Sequence, residues 1–242
     1  MNEHFVQLYD DVGPLAAAVS QYVESGLARG EAVVLVVTPA HRDAFLGKVA
    51  DARSALASGQ LSVLDAERTL QRFMANAMPQ WHRFHEVIGG LIAELRLSYP
   101  TVRAYGEMVD VLWQRGEREA AIRLEEYWNE LGRLQTFSLF CAYRLSPLEA
   151  GSYGGALESV CNTHTHLIPH HDVERFDEAV RSASEKILDR SLAEVLLSFA
   201  ARHRDAARTS AGQAALFWLN QNMPRTAEKV LSELRATVSP AG

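Results

Sequence analysis

The sequence predicts an α/β domain with a mainly parallel sheet and helices on both faces, followed by an all-helical C-terminal extension. Three observations carry that expectation. Ala32–Val37 is an unbroken apolar, mostly β-branched run, the pattern of a strand covered on both faces. Short apolar runs alternate with stretches of helical periodicity as far as residue 143, with short joints, as in strand–helix–strand units. From residue 173 to 238 only helical periodicity remains.

Residues 5–9 read as a first strand, ended by the turn formers Asp10, Asp11, Gly13 and Pro14. Leu15, Ala18, Val19, Tyr22 and Val23 share one helical face, so a helix is expected over 15–27, with Gly26 and Gly30 at its stop. Thr38 and Pro39 close the second strand, and a second helix runs from Pro39 to about Ser58. A third strand at 60–64 closes on Asp65, Ala66 and Glu67. Helical stretches at 68–77 and 81–98 lead to residues 102–113, where a buried strand enters a short loop carrying Glu107 and Asp110. Gly116 breaks the chain before an amphipathic helix at 117–134, with Ala121, Leu124, Tyr127, Trp128 and Leu131 on one side. A fifth buried strand occupies 137–143. Beyond Pro147 a helix at 152–163 and a short strand at 164–169 are expected. Four helices follow, broken near Arg190, near 209–212 and at Pro224. The expected domains are residues 1–172 and 173–242. Parallel neighbours require right-handed crossovers, which leaves few topologies.

The net charge of −6 comes from an acidic body before Asp189, so no basic footprint for nucleic acid is present. Cys141 and Cys161 are the two cysteines, which makes a reducing compartment the default. The first residues lack a basic segment followed by an apolar run, and no apolar stretch approaches a membrane span. A cytoplasmic soluble protein without a membrane partner is expected.

Four chemistries deserve weighing. A phosphate loop needs glycines, so that backbone N–H groups can surround phosphate, and a lysine. The joint after Tyr9 has one glycine, no lysine and two carboxylates, so triphosphate binding in that manner is not expected, nor is a cofactor. Cys161, His164, His166 and His170 offer imidazole and thiol ligands for a metal, against a plainer reading as a strand edge with a solvated His pair. Glu107, Asp110 and Asp65 each sit near a strand end and could converge for acid–base work. No nucleophile elbow or zinc-protease motif accompanies them, and Glu107 reads more simply as a capping or ion-pair carboxylate facing Arg103 or His41 and Arg42. The aromatic residues Tyr9, Tyr105, Trp113, Tyr127 and Trp128 fit a core, or the lining of an apolar pocket.

A longer pattern joins these residues. His4 to Tyr9, residues 26–31 before the Val-rich strand and Thr38 to Arg42 resemble the opening of the MEDS domain, the methanogen/methylotroph, DcmR-type sensory domain. Gln60-Leu61, Leu64-Asp65-Ala66, the run Arg103 to Val109, Leu112-Trp113, Leu124-Glu125 with Trp128-Asn129, Leu139 to Tyr143, and Cys161 with His164 and His166 extend the resemblance in consistent order over about residues 4–170. It implies a RecA/KaiC-like core that has lost its phosphate loop, in a sensory family that responds to small, often hydrocarbon-like compounds. His4, Tyr9, His41, Arg42, Asp65, Tyr105, Gly106, Glu107, Trp113, Glu125, Trp128, Asn129 and His164 are the positions it marks as characteristic.

The resulting expectation is a non-enzymatic sensory module. A small ligand would sit at the carboxyl ends of the strands, where open α/β sheets form their crevices. Tyr9, His41, Arg42, Asp65, Tyr105, Glu107, Trp113 and Trp128 would line it. The output would be a protein partner in transcriptional, sigma-factor or two-component control, with a homodimer as candidate assembly. The alternatives are a metalloprotein or enzyme on the degenerate core, and a scaffold acting through the helical tail.

Overall fold

Val33, Val34, Leu35 and Val36, all buried, belong to an inner strand of a five-stranded parallel sheet. The computed structural model describes residues 3–145, 160, 163–168, 173–203 and 210–238. The chain divides into two compact units, Met1–Arg144 and Leu145–Gly242.

In the first unit β1 (His4–Tyr9), α1 (Val12–Ala28) and β2 (Ala32–Val37) make the opening crossover. There follow α2 (Pro39–Leu46), α3 (Ala52–Ala57), β3 (Leu61–Asp65) and α4 (Ala66–Phe73). A small hairpin, β4 (Met74–Ala75) and β5 (Met78–Pro79), precedes α5 (Trp81–Phe84), a π-helical turn (His85–Gly89) and α6 (Gly90–Leu95). Then come β6 (Val102–Gly106), α7 (Met108–Gln114), α8 (Arg118–Leu134) and β7 (Ser138–Arg144). The parallel order is β3-β2-β6-β7-β1, the RecA-like sheet expected of the chain.

Strand alternation separates the two faces. Phe5, Tyr22, Phe140, Tyr105 and Phe45 pack edge to face on the side of α1 and α2. Tyr143 meets Trp113 of α7, and Cys141 meets Glu125 of α8, on the other side.

Several boundaries differ from the sequence expectation. α1 begins at Val12 rather than Leu15, because the Asp11 carboxylate accepts the Gly13 N–H at 2.9 Å and caps the helix. The strand-to-helix joint is therefore just Asp10 and Asp11. Gly26 lies inside α1 and does not stop it: a Cβ there would stand 2.8 Å from Arg103 Cδ and 3.1 Å from Val33 Cγ2. The helix ends instead at Gly30, whose φ of +71° suits glycine. The expected single helix from Pro39 to Ser58 is two, α2 and α3, parted after Gly47. The helix expected to reach residue 77 stops at Phe73, because Asn76 and Ala77 have φ of +52° and +60° and turn the β4–β5 hairpin. The loop expected to hold Glu107 and Asp110 is the start of α7, with Glu107 at its N-cap and Asp110 in its first turn.

The second unit contains a short strand, His166–Ile168, within the stretch read as strand. Among the described residues its helices are α9 (Val173–Leu188), α10 (Arg190–His203), α11 (Ala211–Asn222) and α12 (Pro224–Val238). Val180, Leu196, Leu197, Leu216, Leu219, Val230, Leu231 and Leu234 form their core. Ser210 and Gln213 close a capping box on α11, and the Asp177 carboxylate of α9 accepts from Ser210 Oγ at 2.5 Å and Gly212 N at 2.8 Å. The helix expected at 152–163 falls mostly outside the described residues. Among the described residues no helix is long and apolar enough to cross a membrane.

Candidate functional site at the strand ends

The carboxyl ends of β1, β2 and β6 bring a set of polar groups together. β6 ends at Gly106, and the Glu107 N–H donates to Val36 O at 2.9 Å, so the carboxylate projects over the end of β2. Its Oε2 accepts the Thr38 N–H at 2.7 Å and the Thr38 hydroxyl at 2.9 Å. Its Oε1 accepts His41 Nδ1–H at 2.6 Å and the Tyr105 hydroxyl at 3.1 Å. Glu107 is 2% exposed, and these four donors compensate the cost of burying its charge.

A second carboxylate stands beside it. Asp110 Oδ2 accepts the Tyr9 hydroxyl at 2.9 Å, while Oδ1 accepts Gln114 Nε2 and the Arg144 N–H, each at 2.9 Å. The two networks meet where the Tyr9 and His41 rings pack edge to face, 6.0 Å between centroids. His41 also lies 5.5 Å from the Phe45 ring.

Burial and hydrogen bonding set the protonation states. The hydrogen bond to Glu107 raises the His41 pKa above 6.5, although burial pulls it down. Burial raises the Asp110 pKa above the usual carboxylate value, while hydrogen bonds from Gln114, Arg144 and Tyr9 restrain it. Burial, then the Asp110 charge, raise the Tyr9 phenol, and burial followed by Glu107 does the same for Tyr105. Both phenols therefore stay donors. Glu107 uses the lone-pair positions of a carboxylate on protein donors, so in this arrangement it is an anchor rather than a base.

Of the residues expected to line a pocket, Tyr9, His41, Tyr105 and Glu107 are brought into this cluster. Arg42 is exposed and pairs with Asp43 at 3.0 Å. Asp65 caps α4 by accepting the Arg68 N–H at 2.8 Å. Trp113 packs on Tyr143 with the Arg118 guanidinium 5.4 Å from its ring, and Trp128 packs on Phe84 and Phe137. His41 is the partner of Glu107; Arg103 pairs with Glu31 instead. Sequence reasoning missed Thr38 as a donor to Glu107, although a Thr before Pro39 at a helix start was a visible capping signal.

Cys161 and His170 of the metal reading lie outside the described residues, as does the His166 side chain. His164 is buried, with Nδ1 2.6 Å from Val160 O. Among the described residues, cavities elsewhere include a cleft of about 570 Å³ lined by Glu24, Leu27, Val49, Ser54 and Gln60, and two of about 550 and 200 Å³ in the helical unit.

The fold and this cluster define a class: a parallel α/β domain whose first strand and helix are linked by a two-residue, doubly acidic joint, and whose strand ends are closed by buried carboxylates. The family model described as MEDS, MEthanogen/methylotroph, DcmR Sensory domain, matches residues 3–165. The chain belongs to that family, a family of sensory domains. A search of curated proteins found no match.

Proposed function

We propose that the α/β domain senses a small ligand at the strand ends and passes its occupancy to a protein partner. The observation that carries this reading is the His41–Glu107 hydrogen bond. It joins a buried carboxylate to an imidazole that is 17% exposed and lies at the edge of the cluster. The described arrangement is the closed form. In the ligand-bound form His41 swings away, and the ligand donates a hydrogen bond to Glu107 while its apolar body lies against Tyr9 and Phe45. Such a ligand binds one state better than the other, as a switch requires. A small apolar compound with one hydroxyl or amine donor has that chemistry, and the reading is non-enzymatic because Glu107 holds rather than attacks.

Residues 1–172 act as the sensor and residues 173–242 as the output, in transcriptional, sigma-factor or two-component control. The exposed side chains of Leu192, Val195 and Phe199 on α10 support a contact with an apolar helix face of a protein partner. Sedimentation of the full chain and of Val195→Asp identifies the occupant. A dimer that dissociates in the variant assigns the stripe to a second copy of the chain instead.

Native mass spectrometry for retained compounds and thermal shifts with small alcohols and amines test the ligand site. His41→Ala, which removes the competing donor, is expected to bind at least as tightly as wild type, and Glu107→Gln to lose the shift. A shift unchanged in Glu107→Gln, or no retained compound and no shift in either wild type or His41→Ala, overturns the proposal.

A further inference from the structure

A second group of chemistry-bearing side chains lies on the opposite face of the sheet, away from the His41–Glu107 cluster. His4 begins β1, Cys141 lies in β7 and Glu125 comes from α8, and all three are buried. Their inward atoms form a small triangle. His4 Nε2 is 3.3 Å from Glu125 Oε2 and 3.5 Å from Cys141 Sγ, and Sγ is 3.7 Å from Oε2. We propose that His4, Glu125 and Cys141 are ligands of one divalent transition-metal ion of zinc type.

The distances are the first argument. In a tetrahedral zinc site with bonds of about 2.0–2.1 Å to nitrogen, about 2.0–2.2 Å to oxygen and about 2.3 Å to sulfur, the N–O pair stands about 3.3–3.5 Å apart. By the same geometry the N–S and S–O pairs stand about 3.5–3.6 Å apart. Each donor needs a shift of at most a few tenths of an ångström to accept the ion.

Orientation is the second argument. Metal-bound imidazoles are aimed by a partner on the other ring nitrogen, and carboxylates by a hydrogen bond on the other oxygen. Asn129 Oδ1 lies 3.0 Å from His4 Nδ1 and can accept its proton, so Nε2, which faces Glu125 and Cys141, is the nitrogen left to ligate an ion. The Tyr143 hydroxyl donates to Glu125 Oε1 at 2.7 Å, leaving Oε2 as the oxygen turned to the triangle. Both ligands with a second polar atom are thus held by it.

Charge is the third. A buried carboxylate demands a compensating charge. A divalent ion with one carboxylate, one thiolate and one neutral imidazole gives a neutral site, and mixed N, O and S donors suit zinc and its neighbours. A His4–Glu125 ion pair alone would account for two of the residues but gives the sulfur no role. An ion takes Cys141 as the thiolate and displaces its proton. This inference goes beyond the sensing reading and stands without it.

The test uses the full chain loaded with zinc or cobalt(II) and dialysed, with metal analysis and the cobalt spectrum as readouts. One ion per chain is expected, with a thiolate-to-cobalt charge-transfer band that Cys141→Ser removes. Asn129→Ala, which changes no ligand, is expected to weaken cobalt binding roughly 10–100-fold while keeping the band. A folded wild-type chain that shows no thiolate band in excess cobalt overturns the site. So does a band that survives Cys141→Ser, which would assign the metal to Cys161. If Cys141→Ser does not fold, an unchanged cobalt affinity in Asn129→Ala overturns the site by itself.

Discussion

Replacing Glu107 by glutamine keeps the side chain's volume and removes its charge, so it isolates what the carboxylate does. The Thr38 N–H can only donate, so the amide oxygen must remain on Thr38 and the NH₂ must face His41 and Tyr105. The Tyr105 hydroxyl can rotate to accept, and His41 must move its proton to Nε2. No hydrogen bond is forced to vanish, but all four lose their charge assistance. Bonds to charged groups contribute about 1.5–3 kcal/mol each against about 0.5–1.5 for neutral pairs. Relief from burying a charge returns part of that difference, leaving a net loss of about 2–3 kcal/mol. At roughly 2–4 °C per kcal/mol for a domain of this order of size, Tm falls by about 5–10 °C.

The same substitution has a pH signature. The folded imidazole of His41 binds its proton more tightly than the unfolded one, so its stabilisation is complete below about pH 6.5 and fades as pH rises through the folded value. In Glu107→Gln that fading disappears. Urea unfolding followed by near-ultraviolet circular dichroism at pH 6 and pH 8.5, for wild type and variant, measures both effects. A loss below about 0.5 kcal/mol, with the wild-type pH dependence intact, would refute the account of Glu107 as a charged anchor.

Three further perturbations follow from the fold. Gly26→Ala should lower stability by about 1–2 kcal/mol despite alanine's better helix propensity, because Arg103 is pinned by Glu31 and by the Tyr22 ring and cannot yield to the new Cβ; a more stable variant in urea would contradict this. Ala77→Gly should raise stability by about 1 kcal/mol, since it relieves a positive φ at an exposed site, and an unchanged urea midpoint would count against a strained turn. Asp177→Ala should speed amide hydrogen exchange at Ala211 and Gly212 at least severalfold and leave the exchange of β2 alone.

The parallel sheet was legible above all because β2, Ala32–Val37, is buried on both faces and so leaves an unbroken apolar run. The helical extension was legible from periodicity and from breaks at Arg190 and Pro224. What escaped was punctuation that depends on tertiary contact. Gly26 looks like a helix stop until Arg103 is seen beneath it, and nothing in the string Met-Ala-Asn-Ala announces that both Asn76 and Ala77 take the left-handed conformation. The site divided in the same way. Tyr9, His41, Tyr105 and Glu107 converge because each lies at or just beyond a strand's carboxyl end. Arg42 and Asp65 share that sequence position, but side-chain direction sends them to solvent and to a helix cap, while Trp113 and Trp128 lie farther along on α7 and α8 and pack into the core. The triangle of His4, Glu125 and Cys141 is spread over 137 positions and becomes visible only when β1 lies beside β7.

The two-residue joint between β1 and α1 also bears on how this domain can change. Asp11 is a tethered anion resting on the amino end of α1, where a nucleotide's phosphate would otherwise settle. Tethering makes its local concentration far greater than that of any free phosphate, and Asp10 adds a second repelling charge. Recovering a phosphate cradle would require inserting several glycine-rich residues and deleting both carboxylates, changes that have no useful intermediate. A phosphate approaching this helix end therefore meets two fixed carboxylates where a phosphate loop would offer free N–H groups.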